Sequence, residues 1–185
     1  MIGSILVGGR RVTSRQVCVF LVAGALALEA GCGGSATPIH PGGKIGSMSL
    51  TRGTSREADL KLFDVCNPII LKPGPHVRSC RIPRLRRLFI GYGEFEPTRQ
   101  TLARDWQQTR WNLWVDGHPV NLPAFRTSDR TLFAFPPAGG KDVILREWDV
   151  ILVNATPGKH TLRYRTRKAS GRPGDATWTF TVAGS

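Results

Sequence analysis

The alternation in Trp111-Asn-Leu-Trp-Val-Asp-Gly-His-Pro-Val-Asn-Leu122 constrains the fold of this chain more than any other feature. Side chains alternate along a strand, so Trp111, Leu113 and Val115 fall on one side and Asn112, Trp114 and Asp116 on the other. Asp116-Gly117 then supplies the positive-φ turn that two-residue hairpins favour. The same period runs through Arg87–Phe95, broken by Gly91 and Gly93, and through Thr131–Phe135, stopped by Pro136-Pro137. Asp142–Val153 is long enough for one bent strand or two, and His160–Arg167 with Thr177–Val182 reads as a closing pair. One helix is predicted, Pro97–Gln108, where Pro97 suits a first turn and Leu102 and Trp106 lie four apart on one side. About six to eight short strands with one short helix predict a mainly-β fold, an antiparallel β-sandwich.

The 185 residues are 41% apolar, 8% aromatic and 21% charged, with 21 Gly and 13 Pro. That balance excludes a disordered, collagenous or multi-span membrane chain and leaves room for one domain with a tail. Residues 59–185 hold all five Trp and both Tyr and are read as the compact domain. Residues 32–58 are rich in Gly, Ser, Thr and Pro without a sustained period, the composition of a flexible tether.

Residues 1–31 read as a signal peptide. Arg10, Arg11 and Arg15 precede an uninterrupted apolar run, Val17–Leu28, with no acid before it. A positive segment ahead of a short apolar one is the pattern of a secretory signal. The run is too short for a membrane-spanning helix, which needs about 20 residues. At its end, Leu28-Glu-Ala-Gly-Cys32 resembles the lipobox of bacterial lipoproteins. Ala30 and Gly31 match the positions before the acylated cysteine, whereas Glu29 stands where an aliphatic residue is usual. The resemblance implies lipidation at Cys32 and export to the cell envelope, held to the membrane through acyl chains. Simple secretory cleavage after Ala25-Leu26-Ala27 is the competing reading. Cysteine parity favours lipidation: Cys18 leaves with the signal, and acylated Cys32 leaves Cys66 and Cys80 as an even pair in an oxidising compartment.

A second resemblance lies near the C-terminus. Val150-Ile-Leu-Val-Asn-Ala-Thr-Pro-Gly-Lys-His-Thr-Leu-Arg-Tyr-Arg165, with Thr177-Trp-Thr-Phe-Thr-Val182 after a polar loop, is similar to the last three strands of bacterial immunoglobulin-like and fibronectin-type-III-like domains. The resemblance implies a β-sandwich used for binding or display. Thr161 stands where the fibronectin corner would carry a tyrosine, and neither Cys66 nor Cys80 lies on the strands that carry an immunoglobulin intersheet bridge.

Catalytic patterns are sparse. Cys66 and Cys80 flank a short loop and are read as a structural disulfide, because no Cys-x-x-Cys occurs and His76 is the sole histidine between them. His40, His76, His118 and His160 show no paired ligand spacing, so neither a metal nor a cofactor is expected. No Gly-x-Ser-x-Gly elbow is present, and Gly91-Tyr-Gly93 lacks the remainder of a phosphate loop. Glu94 and Glu96 share one side of a strand, an arrangement open to a glycosidase pair or to solvated edge residues. Trp114 is either exposed, as a platform for a sugar ring, or laid over the helix around Trp106.

The charge is the most suggestive property. Lys and Arg number 26 against 13 Asp and Glu, a formal +13, and removal of residues 1–31 takes three arginines and one acid to leave +11. Arg84, Arg86 and Arg87 crowd one segment with Arg78 and Arg81, and Arg163, Arg165 and Arg167 alternate on one strand face. These arginines are candidates for an anionic ligand, either an acidic envelope polymer or a protein partner. They also suit simple solvation and pairing with acids such as Glu147 and Asp149. An exported address argues against nucleic acid. The expected function is a non-catalytic, membrane-anchored binding module; the alternative is an exported enzyme or carbohydrate-processing accessory, marked by Glu94 or Glu96 beside a histidine in a deep pocket.

Overall fold

The computed structural model describes residues 36–66, 75–168 and 173–184. The expected signal peptide, the lipidation site Cys32 and the first residues of the tether lie outside them. The fold is mainly β. In chain order the elements are β1 (Lys44–Ile45), β2 (Met48–Arg52), β3 (Leu60–Lys61), α1 (Leu62–Cys66), β4 (Pro75–Ile82), β5 (Arg87–Phe89) and β6 (Gly93–Glu96). Next come α2 (Arg99–Gln108), β7 (Arg110–Val115), β8 (His118–Val120), β9 (Thr127–Phe135), β10 (Lys141–Trp148), β11 (Val150–Val153), β12 (Gly158–Arg167) and β13 (Pro173–Val182).

Three sheets result, in the orders β4-β13-β12-β7-β8, β1-β2-β11-β5-β3 and β6-β10-β9. The β7–β8 hairpin turns at Asp116 (φ 48°) and Gly117 (φ 78°), as the sequence predicts. Pairing is antiparallel except for β4 with β13 and β3 with β5, which run parallel and join strands distant in sequence. The expected all-antiparallel arrangement therefore holds for the hairpins and fails at these two pairs.

Two breaks carry the chain between sheets. Lys141–Val153 is two strands: β10 belongs to the three-stranded sheet and β11 to a five-stranded one, parting at Asp149. Opposite this break, β5 and β6 part around Gly91. A Cβ at Gly91 would overlap the Trp148 carbonyl oxygen, and one at Gly93 the Arg146 carbonyl oxygen. Both glycines are thus required by close backbone approach, which explains the interruptions in the alternation.

The core lies between the inward faces of the two five-stranded sheets. Leu113, Val115, Leu162, Tyr164, Trp178 and Phe180 come from one, and Leu50, Leu88, Val150 and Leu152 from the other, all in one cluster. Tyr164 is fully buried and its hydroxyl donates to the Ile90 carbonyl at 3.0 Å, a polar tie inside an apolar layer.

The tether reading of residues 32–58 is corrected over its described part. Ile39 bridges Val120, β1 and β2 form a hairpin, and β2 pairs with β11 from Arg52↔Val150 to Ser49↔Val153. Ile45, Met48 and Leu50 are buried in the core. The glycines that suggested flexibility include turn residues: Gly42 and Gly46 have φ of 88° and 59°. The helix is also shifted slightly. It begins at Arg99, with Thr98 as N-cap accepting from the Thr101 N–H at 3.2 Å, so Pro97 precedes the cap. α1 is an unexpected second helix.

Candidate functional site

The arginines of β12 lie on the outer face of their sheet. Cross-strand register sets Arg163 opposite Trp114 and Thr177, Arg165 opposite Asn112 and Asp175, and Arg167 opposite Arg110. Asp175 is the acid of this neighbourhood. It receives two bonds from Arg163, one of them Nε to Oδ1 at 3.0 Å, and the Arg165 Nη2 at 3.4 Å. The bond from Arg163 holds the Asp175 carboxyl below its ordinary value. Arg163 also lies over the Trp114 ring, its guanidinium carbon 5.7 Å from the centroid, a cation–π contact. Arg163 is therefore anchored by structure, whereas Arg110 and Arg167 are both exposed and have no acid partner among the described residues.

Trp114 thus sits under an arginine and does not cover the helix. Trp111 takes that role: Trp106 of α2 packs on Trp111 and Trp148, with ring centroids 4.8 and 5.2 Å away.

Arg84, Arg86 and Arg87 are elsewhere, around β5 and its preceding loop. Arg87 is tied down by Glu57, through its Nε to the Glu57 carbonyl at 2.7 Å and its Nη2 to the Glu57 carboxylate at 3.5 Å. The backbone N–H groups of Arg86 and Arg87 both donate to Asp59. Arg84 and Arg86 are exposed at a mixed polar and apolar hollow of about 630 Å³ shared with Ser47, Asn154 and Thr156. The two arginine groups named from the sequence belong to different sheets.

The three-stranded sheet has two unlike faces. On one, α2 packs against β6 and β10, and ionic pairs surround it. Arg146 donates to both oxygens of Asp129 at 2.7 and 2.8 Å, which holds that carboxyl below its ordinary value. Glu94 pairs with Lys168 on this face. Glu96 is pushed above its ordinary value by burial, then by the Asp105 and Glu94 charges. Glu94 and Glu96 do share a side, as the alternation requires, but it is the helix side.

The opposite face opens on a cleft of about 300 Å³. Phe63 of α1, Tyr92, Phe95, Leu132, Phe135 and Leu145 supply its apolar lining. Its lining carries an ion pair: buried Glu147 accepts from the Arg130 Nε and the Ser55 hydroxyl, each at 3.2 Å. Asp64 stands exposed at the edge. Burial, then the nearby Glu94 carboxylate, pushes the Tyr92 hydroxyl up to about 12, so it remains a hydrogen-bond donor. Among the described residues that line this cleft there is no histidine, and neither Glu94 nor Glu96.

His160, read as opening a strand, is buried at the start of β12. Its Nδ1 lies 2.7 Å from Asp116 Oδ2 and its Nε2 lies 2.7 Å from the Thr156 carbonyl, and Asp116 also accepts the Thr161 N–H. This network ties the hairpin turn to β12 and leaves the ring no open position for chemistry. Cys66 and Cys80 stand at disulfide distance, with Cα atoms 5.4 Å apart. Among the described residues no three His, Cys, Asp or Glu side chains gather as metal ligands, and no helix is long and apolar enough to cross a membrane.

Compared with known families, curated proteins and solved structures, the chain has no significant match. The cleft is the feature that reading along the sequence misses, because its lining comes from segments more than 80 residues apart that meet only once three strands are in register.

Proposed function

We propose that this protein is an exported, lipid-anchored, non-catalytic binding module with an immunoglobulin-like sandwich, and that it holds anionic envelope material on the outer face of β7 and β12. The observation that carries the reading is Arg110 opposite Arg167, with Arg165 beside them. Like charges directly opposite on a sheet cost stability, and an anion laid across them removes that cost. Arg163, fixed between Asp175 and Trp114, gives the face a rigid border. The sandwich is supported by two five-stranded sheets sharing one core and by the β12–β13 closing pair. The anchor is supported by the apolar run and by Ala30-Gly31-Cys32.

The test is titration of the purified full chain with inorganic polyphosphate and with uncharged dextran at several salt concentrations. Polyphosphate should bind, weaken steadily as salt screens the charges, and bind less to the Arg110→Ser/Arg167→Ser double variant. Dextran should not bind. Binding that ignores salt, or that survives the double substitution unchanged, contradicts the proposal.

A further inference from the structure

The cleft above β6, β10 and β9 is separate from the arginine face and has the opposite character. We propose that it is a binding site for a small organic cation: an amine carried on an apolar body about the size of one aromatic ring. Three observations converge on that ligand. The volume, about 300 Å³, is at the lower end of small-molecule sites, which are apolar with a few placed polar groups. Phe63, Tyr92, Phe95 and Phe135 bring four aromatic rings to its lining, and ring faces attract cations. The charged lining groups are Arg130, Glu147 and Asp64. Arg130 and Glu147 pair with each other, and the exposed Asp64 carboxylate at the edge has no cationic partner among the described residues. In a chain with a large excess of base, this is a local acidic balance.

The ion pair in the lining is a second observation: Glu147 is buried, whereas the Arg130 side chain stays 35% exposed. Holding the Glu147 carboxylate out of water costs desolvation that an apolar residue there would avoid. The Arg130 Nε is occupied by Glu147 Oε1, and Ser55 fixes the same oxygen. The pair is thereby held in place, and a guest whose apolar body lies on the aromatic lining can turn its amine towards Asp64.

The experiment compares three probes of nearly equal size on the purified full chain by calorimetry: benzylamine, benzyl alcohol and phenylacetate. Benzylamine should bind most tightly and phenylacetate least. Asp64→Asn should cut the benzylamine affinity about threefold to fivefold, the upper part of the range for one exposed charge pair, and leave benzyl alcohol unchanged. Leu145→Trp should fill the cleft and abolish binding of all three; Leu132→Trp serves the same purpose if the first variant does not fold. Equal or tighter binding of phenylacetate overturns the proposal. So does a failure of all three probes to bind, or binding that a folded tryptophan variant leaves intact.

Discussion

Arg110 and Arg167 face each other directly across β7 and β12, two guanidinium groups in one cross-strand position on an exposed surface. The sheet has an acid within reach of Arg163 and Arg165 in Asp175, but none in register with this last pair. A fold selected for stability alone has many neutral residues to place at either position. The pair is therefore the point at which stability and binding are expected to oppose each other.

Arg167→Ser should raise stability by about 0.2–1 kcal/mol, the scale of a cross-strand charge pair, while weakening polyphosphate binding. Urea unfolding and polyanion titration on the same variant check both halves. A variant that loses stability would show that Arg167 serves packing and not a ligand.

Leu50 is wholly buried on β2, inside the stretch that composition marks as a tether. Leu50→Ala should cost about 2–5 kcal/mol, the usual cost of a large-to-small change in a core. Removal of all residues before Gly53 should prevent cooperative folding. Both are read by urea unfolding. If β1 and β2 were an accessory to the fold, neither change would matter.

Tyr164→Phe removes the hydroxyl that donates to Ile90 and leaves that buried carbonyl without its partner. The expected loss is about 1–3 kcal/mol. Burial drives the tyrosine well above its ordinary value, so the loss should be constant across neutral and mildly alkaline pH. Equilibrium unfolding at several pH values measures it.

Acid sensitivity should come in part from Asp129. Its hydrogen bond from Arg146 holds the folded carboxyl below the ordinary value of 3.8. A depressed carboxyl contributes stability that is fully present above its unfolded value and is lost as pH falls through the folded one. Asp129→Asn should therefore be less stable than the parent at neutral pH and should converge with it in acid. Unfolding midpoints measured from neutral pH downward test this.

The fold was legible where one residue type forces a local geometry. Asp116-Gly117 fixed a hairpin, and the alternation from Trp111 to Val115 fixed which side of it is buried. β1 and β2 were hidden because they are two and five residues long and are separated by Gly46-Ser47, too short for a period to emerge. α1, at five residues, failed for the same reason. The Asp175 pairing of Arg163 and Arg165 depends on the register between β12 and β13, which pattern along one strand does not carry. The cleft required still more, since Asp64, Tyr92, Arg130 and Glu147 are neighbours only through tertiary packing.

Where the protein is held is tested most directly by the intact mass of the protein extracted from its native membrane, with and without reduction. The predicted species begins at Cys32, carries added acyl mass and gains two hydrogens when the Cys66–Cys80 bond is reduced. A chain that retains residues 1–31, with no acyl mass and every thiol free, would contradict both the anchor and the oxidising compartment in which the arginine face is proposed to work.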